Sequence, residues 1–228
     1  EGGVGERASG GGVAMTPDTV CMIASMTKAV TGAVAMQLVE QGVLDLDEPA
    51  AKWAPYLGEV QVLEGFAEDG TAQMRPPKRP ITLRHLLTHS AGFGYARWNE
   101  LIDRYSKHEK LPNAYSGDIR GLMTPLVFDP GERWLYSIGI DWAGKVIEGA
   151  TGRGLGTVMR ESIFEPLGMS STSYFISPDM RARLAKIHKR EDGKLVAMDM
   201  ERQQDPLVEN GGGGLYSTAG DYATFVRM

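Results

Sequence analysis

A chain of 228 residues, 42% of them hydrophobic, holds enough apolar material for one large or two small domains. Its 29 acidic side chains outnumber 24 basic ones, for a net charge of −5, and no basic stripe is interleaved with aromatics, which argues against nucleic-acid binding. The single cysteine, Cys21, excludes an internal disulfide and a cysteine-based zinc site, and no apolar run reaches the roughly 18 residues that a membrane span needs.

Residues 1–14 are glycine-rich and read as irregular. No leader segment is recognisable after Glu1, which leaves the compartment open, with the cytoplasm slightly favoured. Met15 to Val20 is extended and turn-rich, and Cys21 reads as a small residue on a strand before a helix. That helix is predicted from Lys28 to Gln41 and closes at Gly42. It is apolar on almost every side, which predicts a buried central helix.

Ser25-Met26-Thr27-Lys28 lies where the loop becomes this helix. Residues three apart share a helix face, so the Ser25 hydroxyl and the Lys28 amine can meet. The free amides and positive dipole end of the helix favour an alkoxide-like oxygen there. A lysine buried beside them gives up its proton more readily and can act as a base. The tetrapeptide alone is weak, because a capping serine followed by a surface lysine has the same spacing. A lysine on the first turn of an all-apolar helix is nevertheless poorly explained as a solvated side chain.

Further along, Val43 to Ala50 reads as a turn leading into a short helix up to Tyr56. Residues 58–80 read as a loop with some extended structure. Ile81 to His89 is predicted to be a helix capped by Thr82 and ended by Ser90-Ala91-Gly92. Modest helices are predicted over 98–110 and 115–126. Asp129-Pro130-Gly131 is a turn, followed by an extended piece from Arg133 to Ser137. Ile140 to Ala150 reads as a helix ended by Gly152, and another follows over 154–163. Residues 174–208 mix helix and strand, with a Lys/Arg-rich solvated face. Gly211 to Gly214 is a tight turn, after which Ser217 caps a last helix.

Tyr136, between the Pro-Gly turn and a helix, is a candidate to carry a proton between nucleophile and leaving group; a core tyrosine is its bland alternative. His85 and His89 have the spacing of two metal ligands on a helix, but Leu86-Leu87-Thr88 between them supplies no glutamate base, so backbone-bonding roles are favoured. The four-glycine run lacks the lysine of a phosphate loop and reads as backbone approaching a pocket or ligand. No G-x-S-x-G nucleophile elbow is present.

Several segments together resemble one family. They are Thr16-Pro17-Asp18-Thr19 with Ser25-Met26-Thr27-Lys28, Arg84-His85-Leu86-Leu87-Thr88-His89-Ser90-Ala91-Gly92, Pro130-Gly131-Glu132-Arg133-Trp134-Leu135-Tyr136-Ser137, and Gly211 through Asp221. In this order they look like the serine β-lactamase-related superfamily, and in particular the family VIII carboxylesterases. The resemblance implies an α+β, β-lactamase/transpeptidase-like fold: a helical region on an antiparallel-sheet α/β region, here truncated at both ends. Residues 1–45 would belong to the α/β region with the nucleophile helix, 46–210 to a mainly helical region, and 211–228 to the return to the sheet.

By the same resemblance Ser25 would be the acylated nucleophile, Lys28 its base and Tyr136 the proton relay. The Ser25 N–H would form half of an oxyanion hole, and Tyr95 and Gly213 would be pocket residues. Ile138 stands where the β-lactamases and peptidases carry an asparagine that holds the substrate amide, which leans toward esters. The implied activity is hydrolysis of a small-molecule carboxylic ester through an acyl-enzyme, with no metal or organic cofactor and with the oligomeric state open. A β-lactamase or D-amino-acid peptidase is the alternative enzyme, and a catalytically silent scaffold is the alternative of another class. The family's third motif would follow the glycine-rich segment and is not found before Met228, and few strand-like segments are present to cover the apolar helix, so residues 1–228 alone are expected to be an incomplete hydrolase with an incomplete sheet and an open side at Ser25.

Overall fold

The computed structural model describes residues 2–204 and 206–228. Strand β1 (Cys21–Met22) leads through a 3-10 turn at Ala24–Met26 into α1 (Thr27–Glu40). The predicted short helix up to Tyr56 is instead two 3-10 turns, Ala50–Lys52 and Pro55–Gly58, because Pro55 has no N–H to continue a helix. Within 58–80 runs an antiparallel hairpin of β2 (Val62–Phe66) and β3 (Ala72–Arg75). A register shift between Leu63 and Gly65 breaks its alternation, so period-2 reading passes over it.

Helix α2 (Leu83–Leu87) starts at Thr82 as predicted. The Thr82 hydroxyl accepts the His85 N–H while the His85 ring accepts the Thr82 N–H, a capping box with histidine in the usual glutamate place. Asn99 caps α3 (Glu100–His108). The helix predicted over 115–126 shrinks to a 3-10 turn at Ile119–Leu122, since Gly117 takes φ +78° and Gly121 presses on the Asn113 backbone. Helix α4 (Gly139–Thr151) ends at left-handed Gly152. Next come α5 (Leu155–Met159), a π turn at Arg160–Phe164, and α6 (Glu165–Leu167). Helix α7 (Pro178–Ala182) and a hairpin of β4 (Ile187–Glu191) and β5 (Lys194–Met198) precede β6 (Tyr216–Ser217) and α8 (Ala219–Arg227). Thr218 caps α8, not Ser217 as expected. Ser217 is buried in β6 and shares a hydrogen bond of 2.8 Å with Thr172.

One apolar core joins the inner face of α1 (Val30, Val34, Ala35, Leu38) to Leu83 and Leu86 of α2, Ala143, Val146 and Ile147 of α4, and Leu155 and Val158 of α5. Truncating fully buried Leu86 to alanine should cost about 2–5 kcal/mol, as lost burial and a cavity add together. Antiparallel pairing of β1 with β6 sets Cys21 opposite Ser217 and Met22 opposite Tyr216, which brings the glycine turn to the start of α1. Helix α1 is not buried all round: its composition suggests burial, and the scarcity of strand-like segments the open side that is found. Met26, Ala29 and Met36 form an exposed stripe, and among the described residues only the two-residue pair of β1 and β6 supplies sheet beside Ser25.

Candidate active site

Ala24 has φ +45°, a left-handed conformation that strains a residue with a Cβ. The sharp turn this makes leaves Ser25 exposed at the head of α1. It is pinned to the segment entering β6: the Ile23 N–H donates to the Leu215 carbonyl at 3.0 Å, and the Leu215 N–H donates to the buried Thr27 hydroxyl at 3.2 Å. Lys28, on the next turn, holds its Nζ 3.1 Å from Ser25 Oγ and donates to the Gly212 carbonyl at 2.6 Å. Tyr136 Oη donates to Ser25 Oγ at 2.7 Å. Ser25, Lys28 and Tyr136, singled out from sequence, therefore meet. Lys28 is half-buried, not enclosed as expected, because one side of α1 is open. Its Nζ sits 4.8 Å from the Tyr136 ring centre and 5.8 Å from that of Tyr95, within cation–π range.

Tyr136 lies on a stretch that, among the described residues, joins no strand, so neighbouring loops and side chains hold it. Asp129, fully buried, accepts two hydrogen bonds from Arg75 of β3 at 2.8 and 2.9 Å, and the Lys78 N–H at 2.9 Å. The Arg75 guanidinium keeps this carboxyl well below the usual carboxylate range, with Lys78 adding to the effect. Nearer the site, the Leu135 N–H donates to the His89 carbonyl at 2.9 Å and the Ser137 N–H to His89 Nδ1 at 3.2 Å. With Nδ1 accepting, the neutral ring carries its proton on Nε2. Burial, and secondarily Lys28, push the His89 pKa down to about 4, and its ring packs 4.7 Å from that of Tyr136. The two histidines thus have separate tasks: His85 caps α2, and His89 supports the tyrosine.

In the glycine turn, the Gly213 and Gly214 N–H groups donate to the Asn210 carbonyl at 3.2 and 3.1 Å. Asp141, on the first turn of α4, accepts the Gly212 N–H at 2.9 Å and the Asn210 amide at 3.1 Å, both on Oδ1. A Cβ at Gly212 would stand 2.5 Å from Asp141 Oδ2, so only glycine fits. Burial raises the pKa of Asp141. Gly213 packs between the Tyr115 ring and the Ala24 carbonyl. The turn does bring backbone to the site, as its glycines suggest, by presenting a carbonyl to Lys28. Asp129, Asp141 and Asn210 escape a sequence reading; the one available hint is that Asp129 opens a Pro-Gly turn and Asn210 a glycine run.

Buried Tyr95 stacks 6.0 Å from Tyr115 and lies 5.6 Å from Tyr136. Trp98 and Trp134, 63% and 67% exposed, flank Tyr136 at 5.9 and 6.4 Å and give the site an aromatic rim. Ile138 is buried and, with Tyr95 and Tyr115, lines a cavity of about 520 Å³.

The sequence pattern of the Beta-lactamase family matches residues 1–228. The chain belongs to this family. Among curated relatives, this Beta-lactamase family member is 39% identical over 211 residues to the monacolin J acid methylbutanoyltransferase of Aspergillus terreus, covering 90% of this chain and 51% of the relative. It is 36% identical over 218 residues to a lovastatin esterase of Penicillium rubens, covering 92% and 55%. The unliganded simvastatin synthase LovD of Aspergillus terreus superposes with a TM-score of 0.83 at 34% identity, over 97% of this chain and 56% of that one. The chain spans about half the length of these relatives. EstCE1, a hydrolase with promiscuous acyltransferase activity, shares the fold with a TM-score of 0.76 at 22% identity, over 98% of this chain and 62% of that one. The fold is therefore the β-lactamase/transpeptidase-like one.

Proposed function

We propose that this protein is a serine acyl-transfer enzyme that cleaves small carboxylic esters. The observation that carries the proposal is the convergence of Tyr136 Oη at 2.7 Å and Lys28 Nζ at 3.1 Å on one exposed serine oxygen. Ser25 Oγ attacks the ester carbonyl as its proton passes to the Lys28/Tyr136 pair. The negative oxygen of the tetrahedral intermediate is met by the Ser25 N–H as one donor. Collapse breaks the bond to the alcohol, which leaves with a proton from Tyr136, and acyl-Ser25 remains. A water deprotonated by the same pair then attacks, releasing the acid and restoring Ser25. Tyr95 beside Lys28 and Gly213 beside Ala24 would form the pocket walls.

Transfer of the acyl group to an alcohol instead of water is a second outcome of the same intermediate. The exposed Trp98 and Trp134 faces favour it, since they offer an apolar platform to an acceptor, and relatives bearing transferase names agree with it. A lactamase or peptidase reading is disfavoured by Ile138, which is apolar and buried where an amide-holding asparagine would be needed. Against a silent scaffold stands the intact trio.

The test is hydrolysis of p-nitrophenyl butyrate and of a chromogenic cephalosporin by the natural-length protein, with mass spectrometry of the Ser25 peptide. Ester turnover through a Ser25 acyl adduct is expected. Preferential cephalosporin cleavage, or an adduct on another serine, would refute the reading.

A further inference from the structure

We propose that Asp141 is a positioning residue of this centre: by holding the Gly212 backbone it fixes the carbonyl that aims Lys28 at Ser25. This deepens the acyl-transfer reading and rests on it.

Lysine is a compact charge on a flexible stem, and nothing in its own geometry points Nζ at a serine. Here one N–H of Nζ is committed to the Gly212 carbonyl at 2.6 Å, and the group turns its remaining side to Ser25. The carbonyl that does the aiming lies in four consecutive glycines, the least rigid backbone a chain can offer. It has to be held from outside. Thr31 Oγ1 donates to the Gly211 carbonyl at 2.7 Å and Tyr174 Oη to the Asn210 carbonyl at 3.1 Å, but Asp141 alone of these grips Gly212 itself. Asp141 sits on the first turn of α4, directly after the stretch that carries Tyr136. One carboxylate thereby locks the tyrosine's element to the turn that steers the lysine.

Stability alone does not account for it. Asp141 is 1% exposed, and among the described residues its Oδ2 has no hydrogen-bond partner. A buried carboxylate with an unsatisfied oxygen is a poor filler compared with an apolar side chain of similar size. A buried polar group of this sort calls for an explanation, and holding Gly212 in place supplies one.

The test compares Asp141→Asn, which keeps an oxygen for the Gly212 and Asn210 donors, with Asp141→Ala, which removes it. The natural-length protein is assayed with p-nitrophenyl butyrate and, independently of turnover, by the rate of fluorophosphonate labelling at Ser25. Asp141→Ala is expected to lower kcat and the labelling rate by about 100-fold with KM little changed, the scale of a displacement of about 1 Å at a reacting group. Asp141→Asn should recover most of that loss. In a Lys28→Ala background, Asp141→Ala should add almost nothing, because its action runs through Lys28. If Asp141→Ala does not fold, Gly212→Ala replaces it: its Cβ collides with Asp141, and the same kcat loss at unchanged KM is expected. Labelling that is unaffected by Asp141→Ala or Gly212→Ala overturns the proposal, as does an asparagine variant no better than the alanine one. Absence of Ser25 labelling in the wild-type protein would instead overturn the functional reading.

Discussion

Ser25 Oγ has two partners, and losing each should register differently. Ser25→Ala is expected to abolish both ester turnover and fluorophosphonate labelling; labelling that persists at another serine would refute Ser25 as the nucleophile. Lys28→Ala should lower kcat by about 10²–10⁴ with KM nearly unchanged, since proton transfer is felt in the transition state. Tyr136→Phe keeps the ring against His89 and Trp98, so it should lower kcat while leaving Tm in place. His89 bears on stability. Its folded pKa of about 4 lies below the 6.5 of an unperturbed histidine, so the unfolded chain binds the extra proton first as pH falls. Stability from this group is therefore complete above pH 6.5 and declines toward pH 4, by about 3 kcal/mol at most. His89→Asn suits the left-handed φ of +56° and keeps an acceptor for the Ser137 N–H, so its Tm should fall less steeply across that window than wild type. Equal slopes in a thermal melt series would rule out His89 as a source of acid sensitivity. The residues legible from sequence were those whose side chains carry chemistry within a local frame. Asp141 was not legible, because its role depends on a contact 71 residues away in the chain, and the glycine run announced backbone at a pocket but not that the Gly212 carbonyl meets Lys28, 184 residues before it.

At the scale of elements, α1, α2 and α4 stood out: α1 by a long apolar run closed at Gly42, α2 by its Thr82 cap, and α4 by an apolar face ended at Gly152. The strands were hard to read, since β1 and β6 are two residues long and β2 carries a register shift. Yet one such element matters for the site. The β2–β3 hairpin sends Arg75 to Asp129 and so braces the approach to Tyr136. Asp129→Ala should lower Tm by several degrees and also reduce kcat, because an unpaired Arg75 and a freed loop follow together. A variant with unchanged melting and unchanged kcat would show that the hairpin is a bystander. With the Asp129 pKa depressed by Arg75, this contribution is present above the ordinary aspartate range and fades as pH drops through it, the same direction as His89 but at lower pH.

Across the whole molecule, the family order of motifs and the open side of α1 were both legible in the sequence: the helix is apolar nearly all round, and too few strand-like segments accompany it to cover every side. Met26 is 46% and Met36 45% exposed on one stripe with Ala29, and Val226 and Met228 at the end of α8 are exposed as well. Contiguous apolar surface of this sort drives association. A polypeptide limited to residues 1–228 is therefore expected to self-associate at micromolar concentration, and Met36→Glu, away from Ser25, to reduce this. Analytical ultracentrifugation reads both; a monodisperse monomer in each case would contradict the expectation.

The carbonyl that holds Lys28 beside Ser25 lies 184 positions further along the chain. Synthesis delivers Ser25 and Lys28 well before that carbonyl, so a growing chain on the ribosome first presents the pair without it. Under the proposed function, reactivity arrives only once β1 has closed onto β6. On the proposed reading the centre is in this sense a timer: its nucleophile is armed only after the polypeptide has brought β1 and β6 together.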